Sequence, residues 1–155
     1  PAILPEPGRR REHMTTIERS ALVEHSANRM FALVNDVTAY PRRFAWCKRA
    51  QVLEQGEGRM LARLELGLGG FNTWFTTENT LDPPRRIDMD LRDGPFRRLR
   101  GRWLFHALDE SACKVSLSLD FEPQRALMLP VLSVGMRGLA DRMVDDFVRV
   151  ADRGD

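Results

Sequence analysis

The side chains that most often carry acid–base, nucleophilic or metal chemistry are few in this sequence and far apart. The three histidines, His13, His25 and His106, have no spacing that would gather them with carboxylates around a metal ion. The P-loop, HExxH and GxSxG motifs are absent, and the single GxG, at Gly56 to Gly58, falls in a predicted hairpin turn. The sequence therefore predicts no metal site and no catalytic centre of these types.

Two pairs of carboxylates, Asp88 with Asp90 and Asp120 with Glu122, each lie on one face of a predicted strand. Paired carboxylates can act as acid and base, but arginines accompany both pairs on the same solvent-facing side. Ion pairing at that exposed face is the simpler interpretation. We therefore assign these carboxylates no catalytic role.

Large apolar side chains recur at positions that strand and helix periodicity place on one interior surface. Any sandwich of a sheet and a helix needs such residues as its core, so a packed core and a ligand cavity both remain open. Gly135 and Gly138 in the predicted C-terminal helix favour a bend or a close approach, since glycine costs about 1 kcal/mol relative to alanine there. Methionine adapts to irregular apolar shapes, so a ligand inside would be long and apolar. The interior candidates are Phe71, Phe75, Met89, Trp103, Phe105, Phe121, Met136, Leu139, Met143 and Phe147.

Basic residues flank aromatic residues in two places, and this pattern suits a membrane interface or structured RNA. An ordinary solvated face is the alternative. Only two of the 24 basic residues are lysine, so the basic surface consists of guanidinium groups suited to phosphate or carboxylate, although a codon bias towards arginine explains this equally well. The candidate surface residues are Arg42, Arg43, Phe44, Lys48, Arg49, Arg97, Arg98 and Arg100.

The hydrophobic periodicity predicts an α+β domain with a curved antiparallel sheet wrapped around a long C-terminal helix. A strand over 15–24 precedes a short helix capped by Ser26, and Tyr40-Pro41 predicts a break, with Tyr40 outside the helical region, before a second helical turn. Residues 47–122 hold about six short strands that alternate between a dry and a wet face. A helix from about Met128 to Ala151 closes the chain with one apolar stripe. This order is the helix-grip arrangement.

Composition narrows the class of protein further. The chain has 155 residues, with 43% hydrophobic and 30% charged residues and a net charge of +2, which is typical of one globular domain. We expect a single domain over 14–155 and a disordered extension over 1–13. The two cysteines form no CxxC pair and no secretory signal is recognised, so we expect a cytoplasmic protein. The longest apolar stretch is too short for a transmembrane helix, and the moderate charge gives no reason to expect DNA binding.

Two segments carry a resemblance to a known family. The run from Asp36 to Cys47, DVTAYPRRFAWC, resembles the signature V-x-x-Y-P-x-F-x-P-W-C of the coenzyme Q-binding, START-like polyketide cyclase/dehydrase family. The run from Asp93 to Phe105, DGPFRRLRGRWLF, is similar to the family's G-P-F-x-x-L-x-G-x-W-x-F strand pair. Ala45 stands where the family usually has proline, which should loosen the turn that holds Trp46.

The resemblance implies a START-like helix-grip fold with a pocket for an isoprenoid quinone, ubiquinone, or a related lipid, held without catalysis and without a required cofactor. It adds Trp46 and Phe96 to the predicted lining residues. Such a protein would support respiratory electron transport, and it would touch the inner membrane through the basic residues and the loop from Phe44 to Trp46.

The same family offers two alternatives. Some bacterial members are described as ribosome association toxins of the RatA type, which implies binding to the large ribosomal subunit and a block of translation initiation. Others are polyketide cyclases or aromatases, and such a reaction would need an inward polar group, for which Tyr40, Thr73 and Thr77 are the candidates.

Overall fold

The computed structural model describes residues 14–154, and the predicted extension over 1–13 lies outside them. Within residues 14–154, seven strands, three α-helices and two 3-10 turns follow the predicted order. They are β1 (Thr15–Val23), α1 (Ala27–Asn35), a 3-10 turn (Val37–Ala39), α2 (Tyr40–Arg43), β2 (Cys47–Gly56), β3 (Arg59–Leu68), β4 (Phe71–Asp82), β5 (Arg86–Asp93), β6 (Phe96–Asp109), β7 (Ala112–Pro123), a 3-10 turn (Ala126–Met128) and α3 (Leu129–Arg153).

The seven strands form one antiparallel sheet in the order β1-β7-β6-β5-β4-β3-β2. The first strand pairs with the last, so β1 and β2 are the two edges. The sheet curves around α3, and the predicted α+β helix-grip architecture is confirmed. No helix within residues 14–154 combines the length and the apolar composition that a membrane span requires.

The two ends of the sheet carry different turns, and we call one of them the Gly94 end. It comprises the β3–β4 turn at Gly69 and Gly70, the β5–β6 turn at Gly94, and the link from β7 to α3. The other end, the opposite end, carries the β2–β3, β4–β5 and β6–β7 turns. The start of α3 lies at the Gly94 end, where Ser133 contacts Thr15 of β1 through their hydroxyl groups, 3.2 Å apart.

Side chains alternate between the two faces of the sheet as the sequence predicts. Leu99, Trp103 and Phe105 of β6 are buried while the arginines between them are exposed. One position departs from the prediction, because Glu122 is buried rather than wet. Its carboxylate oxygens face the guanidinium groups of Arg97 at 3.6 Å and of Arg98 at 4.0 Å, so the expected ion pairing is retained.

The predicted break at Tyr40 is wrong. Tyr40 has helical backbone angles, φ −55° and ψ −46°, and begins α2. Pro41 lies in the first turn of that helix, where its missing N–H costs little. The Tyr40 hydroxyl donates a hydrogen bond to the carbonyl oxygen of Val34 within the core. This anchored, buried ring outweighs the preference of a residue before proline for extended backbone.

A cluster of four aromatic rings joins the α2–β2 region to α3. Phe44 stacks on Trp46 with ring centroids 4.7 Å apart, and Phe147 of α3 meets the Phe44 ring edge-on at 4.8 Å. Tyr40 contacts Phe147 at 5.4 Å. The Trp46 indole N–H donates to the buried carboxylate of Asp146, with Nε1 and Oδ2 3.0 Å apart. The loop is therefore held by ring packing and one hydrogen bond.

A second contact fixes the first half of α3. The ring of Phe71 lies directly over Gly135, and a Cβ atom at this glycine would come within 3.0 Å of several ring atoms. Gly138, one turn later, has only Leu68 within contact distance, at 3.7 Å. The close approach predicted for these glycines is therefore real at Gly135 and not needed at Gly138.

Strand β2 is an irregular edge. Its pairing with β3 shifts register twice, between Cys47 and Arg49 and between Val52 and Glu54. Most of its side chains are exposed, and several of them are charged. The strand therefore offers only short runs of regular backbone at the edge of the sheet.

We predict that Asp146→Ala lowers the free energy of unfolding by about 1–3 kcal/mol, because it leaves the buried Trp46 N–H without an acceptor. Urea denaturation checks this value. Asp146→Asn keeps an acceptor oxygen and should cost less. The matched control is Asp145→Ala, an exposed carboxylate on the next position of α3. Equal effects of the two alanine variants would contradict a structural role for the hydrogen bond.

The two helix glycines give a second matched pair. Gly135→Ala should destabilise the fold, because the Phe71 ring must move to admit the methyl group. Gly138→Ala has room and should stabilise by up to about 1 kcal/mol through helix propensity. Thermal melting of both variants measures the difference, and a stabilising Gly135→Ala would refute the tight contact.

Candidate functional site

A small internal cavity lies between the inner face of the sheet, the end of α1 and the middle of α3. Its volume is about 50 Å³. Its lining is largely aliphatic, with polar atoms from Asn35, Tyr40, Thr77 and Asn79. No histidine, aspartate or glutamate of residues 14–154 lines it, so the cavity offers packing surface and a few hydrogen-bonding groups.

The structure places about half of the predicted pocket residues around this cavity. They approach it from β4, β5 and β6 on the sheet side and from three turns of α3 on the helix side. They are Phe75, Met89, Trp103, Met136, Leu139 and Met143.

The other predicted pocket residues lie elsewhere. Trp46, Phe105, Phe121 and Phe147 are fully buried in packed core and do not line the cavity. Phe96 packs edge-on against Phe75, with centroids 6.3 Å apart. Phe71 covers Gly135 and lines an outer groove at the Gly94 end. None of these six residues lines the cavity. A sequence pattern cannot distinguish a ring that fills the core from one that borders a cavity.

Two polar residues of the cavity wall, Asn35 and Asn79, were not predicted from the sequence, and Thr77 was predicted only as a candidate for cyclase chemistry. The Thr77 hydroxyl donates to the Asn79 side-chain oxygen at 2.8 Å, and both residues are buried at the cavity wall. The sequence carries a signal for Asn79, since Phe75, Thr77 and Asn79 follow the two-residue period of an inward strand face. Asn35, at the end of α1, is partly exposed and has no comparable signal.

The three polar residues considered for cyclase chemistry are separated. Tyr40 donates to Val34, and its burial raises the pKa of the phenol well above its usual value, so the hydroxyl stays protonated. Thr73 is buried, its hydroxyl has no hydrogen-bond partner among residues 14–154, and it lines a groove at the Gly94 end instead of the cavity. Only Tyr40 and Thr77 reach the cavity, and neither is hydrogen-bonded to a base.

The cysteine thiols are also poorly suited to chemistry. Burial raises the pKa of the Cys47 thiol to about 11, and burial likewise raises the pKa of Cys113. A thiol must lose its proton to act as a nucleophile. No group of three potential metal ligands occurs in the described part of the chain.

The volume of the cavity limits what it can hold in this conformation. A cavity of about 150 Å³ lined by aliphatic residues admits benzene, and this one has about a third of that volume. A quinone ring would therefore enter only if wall side chains moved. Met89, Met136 and Met143 are the unbranched side chains in the wall that adapt most readily to such a change.

The arginines of β6 form an exposed basic row on the outer face of the sheet at the Gly94 end. Arg97 and Arg98 share Glu122, and the Arg100 guanidinium lies 3.1 Å from the carboxylate of Asp90. All three side chains are mostly exposed. Their exposed surface remains available to a phosphate or carboxylate of a partner.

The basic residues predicted on either side of the loop from Phe44 to Trp46 differ in their exposure and in their partners. Arg42 is exposed, Arg49 faces Glu65 at 3.4 Å, and Lys48 donates to the side-chain oxygen of Asn72 at 2.7 Å. Arg43 is largely covered and pairs with Asp36 at 3.1 Å.

The prediction that Phe44 belongs to an exposed surface is wrong. Its ring stacks on Trp46 inside the aromatic cluster, and both are buried. The loop from Phe44 to Trp46 therefore presents no aromatic ring to a membrane or to RNA.

Comparison with known proteins agrees with this architecture. Residues 23–148 match the family model described as polyketide cyclase/dehydrase and lipid transport. The ribosome association toxin RatA of Vibrio cholerae is 44% identical over 138 residues, covering 89% of this chain and 96% of that protein. The mitochondrial coenzyme Q-binding protein COQ10 of Drosophila melanogaster is 27% identical, covering 87% of this chain and 57% of that protein.

A solved structure extends the likeness to an enzyme with the same fold. The Zhui aromatase/cyclase from Streptomyces sp. R1128 superimposes with a TM-score of 0.84 at 22% identity, over 91% of this chain and 95% of that one. Three findings therefore indicate the same family. The fold is an antiparallel sheet around a C-terminal helix, the family model matches most of the chain, and the Vibrio cholerae relative matches over 96% of its length. The chain belongs to the polyketide cyclase/dehydrase and lipid transport family.

Proposed function

We propose that this protein associates with the ribosome, as a non-catalytic inhibitor of translation that acts on the large subunit in the cytoplasm. The observation that carries the proposal is the 44% identity to a ribosome association toxin over 96% of that relative. The identity to the coenzyme Q-binding relative is much lower, at 27%. The alternative raised by the sequence resemblance is therefore better supported than quinone binding.

The interior supports a function carried out by the surface. The cavity is too small for a quinone ring without rearrangement, and no acidic or imidazole side chain of residues 14–154 lines it. Most of the space between sheet and helix is filled by packed side chains.

The outer face supports a nucleic-acid partner. Arg97, Arg98 and Arg100 project from the exposed side of β6 near the Gly94 end. Guanidinium groups bind phosphates in bidentate fashion, and ribosomal RNA presents phosphates in dense arrays. At the exposed pair of Arg100 with Asp90, exchanging the internal carboxylate for an RNA phosphate costs little, because exposed ion pairs contribute about 0–1 kcal/mol.

We expect the triple variant Arg97→Glu, Arg98→Glu, Arg100→Glu to lose co-sedimentation with large ribosomal subunits. The neutral variant, with glutamine at all three positions, should bind more weakly. It should also lower the slope of log affinity against log salt by about 2 to 3, since each lost phosphate contact removes about 0.7 to 0.9.

The matched control reverses three charges at the opposite end, with Arg85→Glu, Lys114→Glu and Arg153→Glu. All three residues are exposed, and the change in net charge is the same. Circular dichroism establishes that each variant is folded. Unchanged sedimentation of the β6 variant, or equal loss in the control, would remove this surface from the proposal.

Binding of an apolar ligand is a second candidate function, favoured by the existence of the cavity and by its Thr77–Asn79 pair. The ring carbonyls of an isoprenoid quinone accept hydrogen bonds, and the Asn79 amide could donate one.

Truncating Trp103 would be a poor test of quinone binding. Its ring packs on Phe105 and Phe147, so Trp103→Ala would cost about 3–5 kcal/mol of stability.

We predict that the full-length protein yields little or no isoprenoid quinone when it is purified, extracted with organic solvent and examined by mass spectrometry. If a near-stoichiometric quinone is found, ligand binding becomes the primary function. In that case Thr77→Val should reduce the retained amount, because it removes the hydroxyl that orients Asn79. Thr80→Val, on the exposed side of the same strand, is the control.

A further inference from the structure

A row of exposed aliphatic side chains crosses the start of α3. Leu127 is 88% exposed, Val131 57% and Val134 73%, and Met128 beside them is also exposed. Val131 and Val134, three residues apart, lie on one side of α3, and Leu127 and Met128 lie in the 3-10 turn that leads into the helix. We call these four residues the aliphatic row.

The aliphatic row lies beside an apolar groove at the Gly94 end. The groove runs between the first turns of α3 and the β3–β4 turn, and the ring of Phe71 forms part of its floor. Aliphatic surface therefore continues from the helix onto the sheet. Isolated exposed apolar residues are ordinary, but a continuous patch of this kind marks an interaction surface.

The charged residues nearest to the aliphatic row in the sequence are both basic. Between Glu122 and Asp141 the only charged residues are Arg125 and Arg137. Both are exposed, and neither has an ion-pair partner among residues 14–154. This arrangement differs from β6, where each basic side chain of the row faces an internal carboxylate.

We propose that the start of α3 is a docking site for an anionic phospholipid bilayer, with the aliphatic row inserted among the acyl chains and Arg125 and Arg137 against the lipid phosphates. Interfacial helices combine an aliphatic face with basic flanks in this way. An RNA surface gains little from leucine and valine side chains, because RNA-binding proteins contact unpaired bases with aromatic and arginine planes. A second copy of this chain would bring four unpaired arginines together.

This site is separate from the outer face of β6 and from the internal cavity. Binding to a bilayer goes beyond ribosome association, and the two can be tested independently. The sequence also suggested membrane contact, but through the basic residues and the loop from Phe44 to Trp46, and the aromatic rings of that loop are buried. The proposal places the contact at the start of α3 instead.

Flotation of the full-length protein with vesicles tests the proposal. The parent should float with vesicles of phosphatidylcholine mixed with phosphatidylglycerol, should bind pure phosphatidylcholine weakly, and should lose binding as salt is raised. The double variant Leu127→Asp, Val134→Asp should lower the bound fraction at least about tenfold, because it places carboxylates in the acyl region. The double variant Arg125→Gln, Arg137→Gln should lose only the preference for phosphatidylglycerol.

The matched control is Leu22→Asp, Leu108→Asp, which changes two exposed leucines at the opposite end and alters the net charge equally. All exchanged side chains are exposed, so the variants should keep the parent's melting temperature, and this is measured first. The proposal is overturned if the parent does not bind anionic vesicles, or if the two aspartate variants lose binding equally.

Two other outcomes also overturn it in favour of a different occupant. A parent dimer that Leu127→Asp, Val134→Asp converts to monomer, without vesicle binding, would assign the aliphatic row to self-association. Loss of ribosome sedimentation in that variant, again without vesicle binding, would assign it to a ribosomal protein. Because the β6 charge variants leave the aliphatic row intact, failure of the proposed function and failure of this inference give different results.

Discussion

The placement of α3 against the sheet is the constraint on which the rest of the structure depends, and two contacts set it. Near the start of the helix, Gly135 admits the Phe71 ring so closely that no side chain fits between them. Near its end, Asp146 accepts the Trp46 indole N–H, and Phe147 packs into the aromatic cluster. The cavity lies between these contacts, where Met136 and Met143 face the sheet. Its size therefore follows from two fixed points and the flexible side chains between them.

Much of this fold follows from periodicity alone. The alternation in β6 and β7 and the apolar stripe of α3 predict the layers and their facing surfaces, because burial selects the same side of each element along its whole length. The aromatic cluster could not be derived in this way. Phe44 and Trp46 lie in a short connection without a period, and only tertiary packing decides whether a ring there is buried. Asp146 is a polar residue on the buried side of α3, where its carboxylate accepts the Trp46 N–H and faces the guanidinium groups of Arg142 and Arg149. Helix periodicity does not predict the contact with Trp46.

The candidate site was harder to predict than the fold. Strand alternation separates inward from outward residues, but it does not show where packed side chains leave a gap. Phe105 and Phe121 share the inward face with Phe75 and Trp103, yet they fill core on one side of the cavity. The same limit applies to Glu122, whose burial depends on two arginines of the neighbouring strand. A fold that also serves as an aromatase/cyclase therefore cannot reveal its function by architecture alone, and the chemistry of the lining must decide.

The irregular edge strand β2 bears on how the protein behaves at high concentration. An open antiparallel sheet has two free edges, and a long regular edge is a template on which another chain can add a strand. In β2 the two register shifts interrupt the row of free backbone groups, and Lys48, Arg49 and Glu54 place charge along it. Intermolecular strand addition, the first step towards amyloid-like aggregation, is thereby disfavoured at this edge.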